Sequence, residues 1–221
     1  MYAPPHKLRN TTRFDYLVQA FLYTLLSSSS LTATKPSDLS INTTTVLDIE
    51  GHELQSSTKY YTFPVESPNR GGGLTLASKD GTCPYYVMQE SFESSNGLPL
   101  RFLTIDNNKT KSITLSTDVN IAFFAATTCV QSTVWRVGGV SEVTGRRYVR
   151  SGGVAGRPGW ETVNNWFRIE KDGSGNGYKI VFCPSVCGSC KVVCGDVAVF
   201  YEDGKRWLGL SDEPLLVMFK K

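Results

Sequence analysis

The sequence predicts an all-β protein, either a barrel or a sandwich, from three observations. After residue 45, no stretch repeats apolar residues at i, i+3, i+4 and i+7 over several turns, the pattern of an amphipathic helix. Short runs that alternate apolar and polar residues recur instead. Turn-forming clusters separate them, as at 71–73 (GGG), 106–109 (DNNK) and 172–177 (DGSGNG). Many short strands joined by regular turns are typical of barrels and sandwiches.

The strands can be assigned in order along the chain. In the run VNIAF, Val119, Ile121 and Phe123 alternate with Asn120 and Ala122, as in a strand with one buried face. Other short runs with strand character are STVWRV, NWFRIE, YKIVF, VAVFY and LLVMF. The tryptophans expected in the core or at a barrel end are Trp135, Trp166 and Trp207.

Composition limits the class of protein. A chain of 221 residues can form one sizeable domain and a short extra segment. The net charge is +3, and the basic residues are scattered without a stripe of interleaved aromatics, which disfavours nucleic-acid binding. No run of 18 or more apolar residues occurs, so the sequence predicts no membrane-spanning helix.

The N-terminal residues 1–34 are predicted to be a secretory signal peptide or leader. A basic region at 6–13 precedes a mostly apolar stretch, Tyr16 to Leu26. Small residues follow, with Ala33 as a plausible cleavage site. A disordered leader or a wrongly assigned start is the alternative.

Residues 35–45 form a polar linker in this interpretation, and the folded domain spans 46–221. N-x-T sequons for glycosylation occur at Asn42 and Asn108, besides one in the leader at Asn10. Together with an even number of cysteines, six, they favour a secreted protein, in the extracellular space or the vacuole.

Four cysteines lie close together in the stretch VFCPSVCGSCKVVCGDV. The pairs Cys183/Cys194 and Cys187/Cys190 share one midpoint, so in a two-residue hairpin the partners would face each other across the strands. Opposed residues have Cα separations near the range that a disulfide needs. Pro184 is expected to distort such a hairpin. The alternative is a four-thiolate zinc or iron–sulfur site, although zinc sites usually combine two CxxC pairs across a long spacer.

Signatures of catalysis and of cofactor binding are missing. Outside the leader, His52 is the only histidine, and no G-x-S-x-G, HExxH or phosphate-binding glycine motif occurs. The sequence therefore predicts a protein that is not an enzyme and that has no cofactor and no metal.

Several ordered motifs resemble the plant Kunitz family of soybean-trypsin-inhibitor type. The segment VLDIEGHELQSSTKYY at 46–61 is similar to the family's opening signature. The match continues through GGGLTLA, CPYYVMQ, STVWRV, GGVAGRPG, NNWFRIE, YKIVFCP and LGLSDEP, as far as Lys221. The stretch SVCGSCKVVCGDV is especially close to miraculin-like members of that family.

This resemblance implies a secreted, monomeric β-trefoil of about twelve strands in three pseudo-repeats. It also implies a disulfide Cys83–Cys129 across a long loop, with the second cysteine pair in the C-terminal hairpin. The implied function is inhibition of a trypsin-type serine protease in plant defence, by a convex loop that enters the active site as a substrate does.

The matching loop is TIDNNKTKSITLS, residues 104–116, which the Cys83–Cys129 bridge would enclose. The reactive bond implied by the resemblance is Lys109–Thr110. The candidates for the specificity position are Lys109, Lys111 as second choice, and Asn107 or Asn108 after an alignment shift.

Three departures from the family pattern favour an alternative, a miraculin-like trefoil that does not inhibit and binds a carbohydrate, a cysteine protease or a receptor. The loop is more polar than usual. Ser56 stands where many inhibitors have a loop-supporting asparagine, and the shorter side chain is expected to reach less far. The sequon at Asn108 could place a glycan beside the reactive bond.

Three further positions carry expectations. Gly173 replaces a cysteine that joins two chains in some relatives, so no disulfide-linked dimer is expected. With His52 as the only remaining histidine, a pH-switched activity is not expected. Thr62 replaces an aliphatic residue, which predicts a locally exposed strand end.

Overall fold

A computed structural model describes residues 44–65, 71–106, 111–129, 132–175 and 177–221. The predicted leader and most of the linker lie outside these ranges. The described residues form twelve strands and one short 3₁₀ helix. The strands are β1 Tyr61–Pro64, β2 Leu74–Ala77, β3 Tyr86–Gln89, β4 Leu100–Leu103, β5 Asn120–Phe123, β6 Arg136–Val140, β7 Arg147–Arg150, β8 Arg168–Lys171, β9 Tyr178–Phe182, β10 Gly195–Glu202, β11 Lys205–Ser211 and β12 Val217–Lys220.

Six strands close into an antiparallel barrel. The ladders β1–β12, β12–β9, β9–β8 and β4–β5 provide four of its contacts. Single bridges, Tyr60–Leu100 and Val119–Phe167, complete the ring between β1 and β4 and between β5 and β8. These six are the first and last strands of each successive group of four. Closing the barrel leaves none of them with an unpaired edge.

The other six strands form three hairpins, β2–β3, β6–β7 and β10–β11. The hairpins also pair with one another through β3–β7, β7–β11 and β3–β11. We call this triangular arrangement the hairpin cap. Each group of four strands thus supplies two strands to the barrel and one hairpin to the cap. The predicted β-trefoil of twelve strands in three pseudo-repeats is confirmed.

The core has two parts that follow this division. In the barrel, aromatic rings meet edge to face, with ring centroids 5.3 Å apart for Phe102–Phe219 and 5.9 Å apart for Trp135–Phe167. The smaller cluster takes one buried residue from each hairpin of the cap. Its members are Met88, Tyr148 and Trp207. The predicted burial of Trp135, Trp166 and Trp207 is confirmed, since none is more than 1% exposed.

The prediction for Thr62 is wrong. Its exposed fraction is 1%, and it pairs with Phe219 of β12. Buried and half-buried residues alternate along β1, and Thr62 lies on the buried face because β12 covers this end of the strand. Its hydroxyl has no hydrogen-bond partner among the described residues.

The sequence analysis missed the 3₁₀ helix Trp160–Asn165. Six residues are too few to show an apolar period, and the preceding Pro158 and Gly159 resemble a simple turn. The helix leaves Trp160 73% exposed. Within the described ranges, no helix has the length and apolar character needed to cross a membrane.

Candidate functional site

The loop 104–116 connects β4 to β5, and the structure describes both of its ends, 104–106 and 111–116. Residues 107–110 lie outside the described ranges, so the reactive bond Lys109–Thr110 and a glycan on Asn108 remain predictions. The sequon at Asn42 also lies outside them.

The C-terminal stem of this loop is hydrogen-bonded to the segment 45–56. The Val46 amide donates to the Ile113 carbonyl at 2.8 Å, and the Ile113 amide donates to the Leu54 carbonyl at 2.7 Å. The Leu54 amide donates to the Val46 carbonyl at 2.8 Å. All three side chains are fully buried. A stem with satisfied backbone groups and buried side chains holds the end of the loop in one position.

Ser56 supports the loop directly, contrary to the expectation that its side chain would be too short. The Lys111 amide donates to the Ser56 hydroxyl at 3.0 Å, and the Ser56 amide donates to the Lys111 carbonyl at 2.8 Å. The neighbouring bridge Gln55–Ser112 brings the two backbones together, so a short side chain is long enough. Ser56 is 5% exposed, which shields these bonds from water.

The Lys111 side chain spans the two described ends of the loop. Its ammonium lies 2.8 Å from a carboxylate oxygen of Asp106, and both side chains are largely exposed, at 45% and 74%. The hydrogen bond from Lys111, together with its charge, lowers the pKa of Asp106. Such exposed pairs contribute little stability. This one joins Lys111 to the N-terminal end of the same loop.

The opening motif VLDIEG forms a tight turn that the side chain of Asp48 stabilises. One carboxylate oxygen of Asp48 accepts the amides of Glu50 at 3.0 Å and His52 at 2.9 Å, which closes a tight turn. Gly51 in that turn has φ +82°, a conformation that favours glycine. The imidazole of His52 is exposed, with Nδ1 3.7 Å from Asp48 and 3.6 Å from Glu50.

All six cysteines are in disulfides, which rules out the four-thiolate metal site. The bonds are Cys83–Cys129, Cys183–Cys194 and Cys187–Cys190, the pairs given by the sequence analysis. Cys83–Cys129 joins residues 46 apart and encloses the whole of loop 104–116. No thiol is left for a disulfide between chains, which agrees with the glycine at Gly173. Among the described residues, no other group of side chains could hold a metal ion.

The residues between β9 and β10 form a loop rather than a regular hairpin. The ladder ends at Phe182 opposite Gly195, and residues 183–194, here called the cysteine segment, continue outside it. The register keeps the midpoint that the cysteine spacing predicts. The distortion expected at Pro184 is present, because the proline removes the backbone donor that would extend the ladder.

A carboxylate that the sequence analysis missed anchors the cysteine segment to the barrel. One oxygen of Asp118 accepts the Ser185 amide at 2.9 Å and the Ser185 hydroxyl at 2.6 Å. The other oxygen accepts the Arg168 guanidinium at 3.0 Å. The Asp118 side chain is 4% exposed. Asp118 lies between loop 104–116 and β5, so one buried group connects the stem region of that loop to the cysteine segment.

The hairpin cap contains a cavity of about 310 Å³. Its lining residues are Lys79, Tyr86, Gly138, Gly139, Val140, Ser141, Tyr148 and Arg150. Three of the lining residues, 138–140, lie where the β6–β7 register shifts by one residue between Val137 and Val140. Arg150 lies directly opposite Arg136 across the two strands, and the Nε atoms of both are buried without a partner among the described residues. Burial and the charge of Arg150 lower the pKa of Arg136.

Residues 46–221 match the family model Kunitz_legume, described as trypsin and protease inhibitor. Kunitz trypsin inhibitor 5 of Arabidopsis thaliana is 47% identical over 177 residues, which is 80% of this chain and 85% of the relative. Miraculin of Synsepalum dulcificum is 45% identical over 183 residues, 80% of this chain and 82% of the relative.

A solved structure supports the same grouping. The bifunctional α-amylase/subtilisin inhibitor of Oryza sativa is 40% identical, with a TM-score of 0.62. The superposition covers 80% of this chain and 97% of the rice chain. The names of the Arabidopsis and rice proteins refer to inhibition of different targets, and the name miraculin refers to no inhibition.

Proposed function

Since the chain belongs to the Kunitz_legume family of trypsin and protease inhibitors, we propose that it is a secreted inhibitor of a trypsin-type serine protease that acts through loop 104–116. The family model is described by inhibition of proteases rather than by an enzymatic activity. The chain needs no catalytic group for this function, because the partner supplies the chemistry.

In this mechanism the Lys109–Thr110 bond enters the protease active site as a substrate bond does. The lysine ammonium enters the acidic specificity pocket of a trypsin-type enzyme. A loop that already has its bound conformation loses little conformational entropy on binding, so more of the contact energy contributes to affinity.

The observation that carries the proposal is the pair of hydrogen bonds between Ser56 and Lys111. They hold the backbone immediately after the proposed reactive bond, and Ser56 is itself buried. Behind them, the bonds among Val46, Leu54 and Ile113 continue the support into the core. A product end that stays in place can be religated, which makes hydrolysis slow and reversible.

The Cys83–Cys129 disulfide adds a covalent constraint to the hydrogen bonds that hold loop 104–116. Cleavage at Lys109–Thr110 would occur inside the ring that this disulfide closes, so the two parts of the chain would remain joined. A glycan on Asn108 would oppose binding, since it would sit beside the reactive bond. Inhibition is therefore expected to depend on whether that sequon is occupied.

Titration of trypsin with the protein, before and after enzymatic removal of N-glycans, tests the proposal. We expect stoichiometric inhibition that Lys109→Ala weakens at least 100-fold, because the specificity pocket then loses its cation. Lys171→Ala, at an exposed lysine of β8, is the matched control and should leave inhibition unchanged. Absence of inhibition of trypsin, chymotrypsin and subtilisin by the deglycosylated protein would refute it.

The cavity of the hairpin cap favours a second candidate among the alternatives, namely binding of a carbohydrate that carries acidic groups. Arg136 and Arg150 face each other with no carboxylate bonded to either among the described residues, and like charges in directly opposed positions repel. An acidic ligand would relieve that repulsion. Tyr86, which pairs with Arg150 across β3 and β7, also lines the cavity and offers an aromatic ring to a sugar.

Lys79 adds a second cation to the cavity wall, although a carboxylate partly neutralises it. Its ammonium lies 2.6 Å from Glu202 and 3.6 Å from the centre of the Tyr148 ring. Burial is the largest single effect and lowers the pKa of Lys79, but the hydrogen bonds and charge interactions with Glu202 and Tyr148 together exceed it and leave the pKa raised. The cavity therefore keeps a positive character near neutral pH.

An array of neutral and acidic oligosaccharides tests this candidate. Binding confined to acidic sugars and lost in Arg150→Gln would support it, with Arg157→Gln as an exposed control outside the cavity. Binding of neutral sugars to the same extent, or of none, would exclude it.

A further inference from the structure

We propose that the peptide bond Lys191–Val192 in the cysteine segment is a second reactive bond for a trypsin-type protease. The inference rests on the proposed function, since it assigns to this segment the same substrate-like mode of binding. The second bond lies at a different site, because the cysteine segment is separate in sequence from loop 104–116.

Lys191 is available to a partner. The side chain is exposed, and among the described residues no hydrogen bond or ion pair engages it. Residues 190–194 lie outside the β9–β10 ladder and contain no turn or bend. Proteases bind substrates as extended chains, and this stretch presents a lysine in an irregular segment without a ladder partner. An exposed lysine side chain suits the acidic pocket of a trypsin-type enzyme.

The Cys183–Cys194 disulfide holds the chain together on both sides of this bond. Hydrolysis would break the bond between the Lys191 carbonyl carbon and the Val192 nitrogen, with water adding OH to the carbon and H to the nitrogen. Because the bond lies inside the ring closed by Cys183 and Cys194, the two new ends would stay covalently joined. Religation would release one water molecule and restore the inhibitor.

Contacts on each side of the bond keep the new ends close. On the carboxyl side, Val192 packs against the main hydrophobic core. On the amino side, the Cys187–Cys190 disulfide and the Cys190 amide, which donates to the Cys187 carbonyl at 3.3 Å, constrain the residues just before Lys191. These constraints are the properties that distinguish a slowly cleaved inhibitor from a good substrate.

Asp118 fixes the base of the segment. Its hydrogen bonds to the amide and hydroxyl of Ser185 connect the segment to the barrel, and the carboxylate is buried. The segment therefore cannot swing away from the body of the protein when a protease engages Lys191.

The test uses the full-length secreted protein and four forms: wild type, Lys109→Ala, Lys191→Ala and the double variant. We expect Lys109→Ala to retain weaker inhibition of trypsin, which the addition of Lys191→Ala abolishes. After long incubation of Lys109→Ala with trypsin, we expect a nicked form that stays one molecule without reductant. On reduction it should release a fragment beginning Val192-Val193-Cys194.

Three outcomes separate this inference from the proposed function. Lys109→Ala abolishing all inhibition would overturn the second bond and leave the first intact. Complete and rapid cleavage after Lys191 without inhibition would also overturn it, since the segment would then be an ordinary substrate. Full inhibition in the double variant would overturn both sites, with Lys171→Ala as the control for loss of an exposed lysine.

Discussion

Loop 104–116 and the cysteine segment 183–194 each carry a basic residue inside a disulfide ring, but they are held in different ways. The first ring joins cysteines 46 residues apart, and loop 104–116 depends on backbone hydrogen bonds to the segment 45–56. The second joins cysteines 11 apart, contains a further disulfide, and rests on one buried carboxylate. This fold can therefore constrain an exposed loop either by hydrogen bonds to a neighbouring backbone segment or by disulfide rings.

The difference follows from what surrounds each loop. The segment 45–56 runs beside loop 104–116 and offers backbone donors and acceptors at strand distance. The cysteine segment leaves its ladder at Phe182, so within its own hairpin covalent bonds supply the constraint. Loss of hydrogen bonds should therefore loosen loop 104–116 more than the cysteine segment. Loss of the disulfides should lower stability by different amounts for the two rings.

Removal of the Cys83–Cys129 disulfide, which closes the longer ring, is expected to have the largest effect on stability. Replacing Cys83 and Cys129 by serine should lower the free energy of unfolding by about 4 kcal/mol, because the unfolded chain regains the entropy of a long open loop. Replacing Cys187 and Cys190 should cost only about 2 kcal/mol. Urea unfolding of both variants measures the difference, and equal losses would contradict the assignment of the long ring as the main covalent stabiliser.

The next effect concerns the anchor of the cysteine segment. Asp118→Ala should cost about 3 kcal/mol, since it leaves the guanidinium of Arg168 and the amide of Ser185 without their buried partner. The control is Asp196→Ala, whose pair with Lys179 at 3.1 Å is less buried and should cost no more than about 1 kcal/mol. Thermal and urea unfolding give both values. Equal effects would show that Asp118 is not a special support.

A smaller effect is expected at the support of loop 104–116. Ser56→Ala removes the acceptor for the Lys111 amide and should cost about 1 kcal/mol. The same variant should be cleaved faster by trypsin in loop 104–116, while cleavage in the cysteine segment stays unchanged. Ser78→Ala, which removes an exposed hydroxyl bond to Thr82, serves as control. Equal acceleration at both loops would mean that Ser56 acts on global stability alone.

The smallest effect is electrostatic. The folded-state pKa of Asp106 lies below its ordinary value of 3.8 because Lys111 donates to it and carries the opposite charge. Its contribution to stability is therefore present above the unfolded pKa and is lost as pH falls through the folded pKa. NMR titration should find a midpoint below 3.8 that rises in Lys111→Met and with added salt. An unchanged midpoint in Lys111→Met would contradict the pairing.

Much of the fold could be predicted from short patterns. The run YKIVF coincides with β9, and the alternating run VNIAF contains β5. These succeed because the side-chain period of a strand is a local property. The division of twelve strands between barrel and cap could not be read from any single run, because no run shows which other strand it pairs with. Only their pairing separates them.

For the candidate sites, the cysteine spacing predicted which cysteines face each other. No pattern in the sequence predicted the residues that hold the loops in place. The shared midpoint of Cys183/Cys194 and Cys187/Cys190 is a property of the sequence, and the register preserves it. Asp118 escaped notice because nothing adjacent to it in sequence distinguishes a buried anchor from an exposed turn residue. The opposed arginines of the cap escaped notice for the same reason, since Arg136 and Arg150 are 14 positions apart.

The sequence by itself determined the strand composition, the cysteine midpoint and the family motifs, because each depends on residue types at short or ordered spacings. Only the tertiary structure decided that Thr62 is buried, that Ser56 reaches Lys111 and that Asp118 holds Ser185. Each of these depends on how closely two distant backbones approach, and that distance is set by barrel closure and strand register rather than by either residue alone.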